Sequence, residues 1–362
     1  MGTAKHRAID LLRRTVRLAG KYDAIGRALE TDGSAADPFA LAEEEVDDDV
    51  LRLMFIACHP VLSADARVAL TLRVLGGLET EEIARAFLVP AATIAQRIVR
   101  AKKTLAEAHV PFEMPVASDR AARLASVLEV IYLIFNEGYS ATAGEDWVRP
   151  ALCEDALRLG RILAALMPNE SEVLGLVALM EIQASRLRAR VGPGGEPVLL
   201  RDQDRTRWDR LSIRRGLAAL GRAEELGGTL GPYALQAAIA ACHARARSAD
   251  ETDWARIVAL YDALAALASS PVVELNRAVA IGMAYGPAAG LELVDGIVAQ
   301  GALREYPFLA SARGEFLEQL GRRSEAAVEF ERAASLTQNA RERELMNARA
   351  ARTRSLGRAA SA

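Results

Sequence analysis

The stretch from Gly76 to Leu105, GGLETEEIARAFLVPAATIAQRIVRAKKTL, constrains this chain more than any other. It predicts two short helices with a tight break between them. Thr80 to Phe87 forms the first, and Leu88-Val89-Pro90 interrupts it. Pro90 has no backbone N–H to donate, so it ends one helix and suits the opening turn of the next. The second helix runs from about Ala91 to Leu105. Ile94, Ile98, Ala101 and Leu105 recur at helical spacing and share one face. Thr93, Gln96, Arg97, Arg100 and Lys103 are read on the opposite face, and no acid occurs between Arg85 and Lys103. A helix-turn-helix of this kind lays its second helix in a DNA major groove about 12 Å wide, with its N-terminal half on base edges. An ordinary helical hairpin with a solvated basic face fits the same pattern, and spacing alone leaves both readings open.

The rest of the composition narrows the class. With 362 residues, about two to three domains are expected. Half the chain is hydrophobic, enough for sizeable cores, yet no apolar run reaches the roughly 18 residues a membrane span needs. No secretory signal pattern is present at the N-terminus, so a cytoplasmic protein without membrane contact is expected. Cys58, Cys153 and Cys242 are widely spaced and odd in number, which argues against a disulfide framework. Cys58-His59 and Cys242-His243 invite a shared metal site, but buried small hydrophobes beside a histidine explain them better. A P-loop, a dinucleotide glycine fingerprint and an HExxH motif are all absent from the sequence. The chain is therefore expected not to be an enzyme, with no catalytic residues, no metal and no cofactor.

The chain divides by charge and punctuation. Residues 1–27 are basic, with a local balance of +5. Residues 28–50 carry nine acids and no Lys or Arg, and read as a linker. Residues 51–112 hold the two-helix stretch, preceded by an apolar helix ending near Cys58-His59-Pro60 and by a helix from Ala64 to Leu75. Ser63 is read as the N-cap of that helix and Gly76-Gly77 as its end. Arg67, Arg73 and Arg85 are candidates for phosphate contact. Pro111 and Pro115 mark a boundary, and residues 118–358 read as one helix after another. Gly138 is read as the stop of the first of these, after the aromatic run Ile131–Tyr139. A loop from Pro193 to Trp208 is a candidate ligand or docking site. Residues 309–336 match a tetratricopeptide pattern at Gly314, Leu317, Ala326, Phe330 and Ala333, with a weaker copy at Ala280, Met283, Ala289 and Leu293. An all-α fold follows, a helix-turn-helix ahead of an α-helical solenoid whose concave face suits a protein or peptide partner. Arg341 to Arg358 reads as a terminal capping helix.

The residues Gly77-Leu78, Glu82-Ile83-Ala84, Val89-Pro90, Thr93-Ile94, Arg97-Ile98 and Arg100-Ala101-Lys102 closely resemble the fourth domain of RNA polymerase sigma factors, which reads the −35 promoter element. The run Ala4-Lys5-His6-Arg7-Ala8-Ile9-Asp10 and Leu12-Arg13-Arg14 resembles the last helix of sigma domain 2. With Tyr132–Tyr139, the run Gln203-Asp204-Arg205, Arg207-Trp208-Asp209 and the tetratricopeptide-like tail, nearly the whole chain resembles extracytoplasmic-function sigma factors that carry a long C-terminal helical extension. The resemblance implies a bacterial initiation factor with promoter DNA and core RNA polymerase as partners, its extension regulating the sigma part. It further implies that most of domain 2, including the helices for −10 melting and the main polymerase anchor, is missing from this chain. Within it the 28–50 linker either keeps the chain soluble or mimics phosphates in the polymerase cleft. Arg97 and Arg100 are the expected contacts to guanine edges or adjacent phosphates, with Thr93, Gln96, Lys103 and Thr80 supporting them. A stand-alone helix-turn-helix regulator with a helical sensor domain is the alternative, and a scaffold with a vestigial helix-turn-helix is a third.

Overall fold

The structure, a computed structural model, describes residues 49–359. The readings for residues 1–27 and for most of the acidic linker lie outside the described residues. Residues Leu51–Ala362 form one compact unit. The fold is all-α. In chain order it runs α1 (residues 49–57), α2 (Ala64–Thr71), α3 (Thr80–Phe87), α4 (Ala91–Glu107), α5 (Ala117–Tyr139), β1 (Ala143–Gly144), α6 (Pro150–Leu166), α7 (Ser171–Ala184), α8 (Arg210–Glu225), α9 (Pro232–Arg245), α10 (Trp254–Leu267), α11 (Pro271–Tyr285), α12 (Pro287–Ala299), α13 (Pro307–Gln319), α14 (Arg323–Leu336), β2 (Gln338–Asn339) and α15 (Ala340–Ala359). No helix among the described residues is long and apolar enough to cross a membrane.

Local signals set the helix ends. Ser63 caps α2 by accepting the Ala66 N–H at 3.4 Å. The expected helix to Leu75 changes character at Leu72, where a π turn runs to Gly76, and Gly77 closes it at φ 70°. Proline occupies the first turn of α6, α9, α10's successor α11, α12 and α13, where its missing N–H leaves nothing unsatisfied. Gly138 does not stop α5. It lies inside the helix, where a Cβ would come within 2.7 Å of the Cys153 backbone nitrogen, so its role is to let α5 and α6 approach.

From α5 onward, helices pack chiefly on their sequence neighbours. Separate apolar clusters carry the tail. In one, Leu317, Ala326, Phe330 and Ala333 are buried together with Leu291 and Val294. Gly314 abuts Phe330, whose ring a Cβ would meet at 2.7 Å. In the weaker upstream copy Ala280 is buried, but the other positions do not hold. Met283 is 42% exposed, and Gly282 and Gly290 instead take the tight positions, both against Phe316. The last helix is more than a frayed cap: Arg349 and Thr353 are buried and bind Glu315 and Glu318.

The run of helices closes on itself. β1 and β2 pair in parallel, Ala143 with Gln338 and Gly144 with Asn339. Asn339 is fully buried and its side-chain amide donates to Ala141 O at 3.1 Å and Asp146 O at 2.9 Å. A polar side chain with no exposure needs such partners. The closure brings the end of the chain beside the loop that follows α5.

Candidate nucleic-acid interface

The hairpin α3–α4 is built as the sequence predicts. The Glu79 N–H donates to the Glu82 carboxylate at 2.8 Å, half of a capping box that starts α3. Ile83 and Ala84 face inward. Leu88 makes the turn in the left-handed region at φ 52°, and Val89 N–H closes it on Ala84 O at 3.1 Å. Pro90 then opens α4, which extends to Glu107. Ile94, Ile98 and Ala101 are buried against α2 and α3.

The six residues proposed from sequence separate into three places. Gln96, Arg100 and Lys103 form one exposed stripe at i, i+4 and i+7. Lys103 has the Glu107 carboxylate at 3.5 Å, one turn on. Thr93 and Arg97 lie on the flank of that stripe and are half-buried. Arg97 is engaged by Asp65 of α2 at 3.0 Å, so the stretch without acids meets one from outside it. Thr80 sits apart, half-buried in the first turn of α3. One group beside the stripe escaped sequence reasoning: Val99 is 65% exposed and lies one turn from Gln96 and Lys103. A helical wheel shows it, since it lies well away from Ile94 and Ala101.

Other candidate phosphate contacts are taken up internally. Arg67 donates to Ser126 Oγ at 2.5 Å and to Glu129 at 2.8 Å. Arg73 donates to Leu78 O at 2.9 Å and to Glu79 at 2.6 Å. Arg85 remains exposed.

Two arginines from the helical region fasten the hairpin. Arg158 of α6 donates to Gly76 O at 3.1 Å and, at 3.4 Å, to Leu75 O. Arg149 donates to Ala86 O at the end of α3, to Glu137 and, at 2.8 Å, to Ala143 O. The Arg149–Glu137 pair is largely buried, with side chains 13% and 11% exposed. Upstream, Arg123 donates to Phe55 O at 2.8 Å and Ser126 Oγ to Cys58 O at 2.5 Å. The α3–α4 hairpin is thereby held to α5 and α6.

Behind Arg149 stands a ladder of alternating cations and rings. Arg190 lies 4.4 Å from the Trp147 ring centroid and 3.8 Å from that of Tyr139. Arg186 donates to Tyr139 Oη at 2.6 Å and lies 5.7 Å from Trp208, over which Arg205 sits at 4.8 Å. Arg205 also donates to His243 O at 2.5 Å and Ala246 O at 2.9 Å. Burial, with Arg186 and Arg205 alongside, pushes the His243 imidazole down to about 4. The aromatic run at Tyr139 and the Arg205–Trp208 run thus meet in one stack. The Pro193–Trp208 loop, read from sequence as a docking site, contributes Arg205 and Trp208 to that stack.

Among the described residues no group of three or more His, Cys, Asp or Glu converges. All three cysteines are buried, and burial pushes the Cys58 and Cys153 thiols up to about 12, far from the thiolate form that reacts or ligates.

Comparison with known proteins fits this geometry. Residues 52–105, from within α1 to near the end of α4, match the family Sigma-70, region 4. Residues 123–224 match a family of unknown function, DUF6596, and contain the whole cation–ring ladder. The "Uncharacterized protein R00370" of Rhizobium meliloti (strain 1021) is 49% identical over 295 residues, covering 82% of this chain and 69% of that protein. With that identity over most of both chains, and with a match to sigma-70 region 4 at the α3–α4 hairpin, this chain belongs to the same family as the Rhizobium meliloti protein.

Proposed function

We propose that this chain is a sigma-factor-like transcription protein of the extracytoplasmic-function kind, which reads a −35 promoter element with α4 and works with core RNA polymerase in the cytoplasm. One observation carries the reading: α4 buries Ile94, Ile98 and Ala101 and turns Gln96, Arg100 and Lys103 outward, within the segment similar to sigma-70 region 4. Arg100 is the first choice for a guanine edge, a bidentate contact worth about 1–3 kcal/mol of discrimination. Gln96 suits an adenine edge, and Lys103 the phosphate backbone. Thr93 and Arg97 flank the groove, and Arg97 reaches DNA by exchanging Asp65 for it. Thr80 offers a phosphate contact at the start of α3.

In this reading the region from about residue 118 to 358 is a tetratricopeptide-like regulator acting in cis, offering its concave side to a protein or peptide. The Arg149 and Arg158 contacts support it, because they tie the reading hairpin to that region. The protein acts by binding and not by catalysis, with no cofactor. The test is co-purification of the full chain with core bacterial RNA polymerase, followed by run-off transcription. Stable association with polymerase supports the sigma-like role. DNA binding with no association would favour a stand-alone regulator and overturn it.

A further inference from the structure

A cavity of about 1030 Å³ lies between the inward side of α2–α4 and the helices from α5 onward. That volume matches the upper end of the range for small-molecule sites, roughly 300–1,000 Å³. Its walls are aromatic and acidic. Tyr132, Tyr261, Tyr306 and Phe308 line it. Tyr306 and Phe308 meet edge to face, with centroids 5.2 Å apart and planes at 65°, and so present a ring corner.

The charges on the lining do not cancel. Four charged side chains face the cavity: Asp65, Arg97, Glu137 and Glu342. Asp65 and Arg97 neutralise each other at 3.0 Å, and Glu137 is neutralised by Arg149. Glu342 accepts from Thr337 Oγ1 at 2.7 Å and has no ion pair among the described residues. It stands close enough to Tyr306 to be felt: burial, then Glu342 and Tyr132, push the Tyr306 hydroxyl up. A half-buried carboxylate near Tyr306, in a cavity that Phe308 and Tyr261 also line, lacks one thing, a cation. A positive group over a ring is attracted to the negative ring face more strongly as it is desolvated, which is how aromatic cages select ammonium groups.

We propose that this cavity is a binding site for a small organic cation, an amine with an aromatic or aliphatic body, its ammonium on Glu342 and its body on the rings of Tyr261, Tyr306 and Phe308. The site is separate from the outward stripe of α4, and its occupancy is measured without DNA.

The test is calorimetric titration of the full chain with phenethylamine and with phenylacetate, which pair the same ring with opposite charge. The amine is expected to bind at least about tenfold tighter than the acid. Glu342→Gln, which keeps the shape and removes the charge, is expected to abolish that preference. Glu344→Gln, on the same helix but paired outward with Arg341, is expected to retain it, and circular dichroism confirms that each variant is folded. Equal affinity for amine and acid, or a preference untouched by Glu342→Gln, overturns the proposal. So does binding of a basic peptide without binding of the amine, which would make the cavity a peptide groove.

Discussion

Replacing Arg149 by methionine should loosen the α3–α4 hairpin selectively. The guanidinium binds Glu137, Ala86 O and Ala143 O from one position, and both members of the ion pair are close to nine-tenths buried. Breaking a buried pair by removing one member costs about 3–5 kcal/mol, because the other charge is left desolvated. Glu137 keeps the Thr142 hydroxyl at 2.9 Å, which offsets part of this, so a loss of about 3 kcal/mol is expected. The loss should appear locally, since Arg149 bridges the hairpin to α5. Native-state hydrogen exchange reads it: amides of α3 and α4 should exchange about a hundredfold faster, at 1.36 kcal/mol per factor of ten. Amides of α13 and α14 should barely change. The double variant Glu137→Met/Arg149→Met should recover about 2 kcal/mol relative to the sum of the single changes. Unchanged exchange in α3 and α4, or equal acceleration throughout, would refute the view that Arg149 holds the hairpin.

Three further perturbations test other parts of the account. Asp65→Asn frees Arg97 from an exposed pair worth about 0–1 kcal/mol, and should tighten DNA binding about two- to fivefold at low salt, an effect lost as salt rises; weaker binding would show that Asp65 positions Arg97 for DNA. His243, pushed down to about 4 by burial and by Arg186 and Arg205, takes up its proton at lower pH folded than unfolded. Its contribution is complete above the unfolded value of about 6.5 and is lost as pH falls toward about 4, so urea midpoints should fall across that window, and less so in His243→Gln. Cys58, buried and pushed up to about 12, should resist a thiol reagent at pH 8 until the chain is unfolded; rapid labelling of the native protein would contradict its burial.

Much of the hairpin was legible because its signals are local. Pro90 and the Ile94–Ile98–Ala101 spacing act within a few residues, and α3 and the start of α4 fall where they place them. The tight positions Gly314 and Phe330 were legible for the same reason, whereas the degenerate upstream copy misled at Met283, beside the tight Gly282. Nothing local announces that Asp65, 32 positions earlier, pairs with Arg97. Nor does local pattern reveal that Arg149 reaches Ala86 O or that Asn339 closes the fold on Ala141 O. The aromatic run at Tyr139 and the Arg205–Trp208 run each stood out from sequence. Their meeting through Arg186 and Arg190 is tertiary, set by the packing of α5 against α7.

The most direct test of the central claim is selection from randomised DNA duplexes by the full chain together with core bacterial RNA polymerase. The wild-type chain should enrich one short motif. Arg100→Ala should lose the preference at a single position within it, while Lys103→Ala should keep the motif and lower the salt slope by about one. Enrichment of no motif by the wild-type chain, or the same motif at full strength from Arg100→Ala, would contradict the assignment of the α4 stripe as a reader of promoter bases.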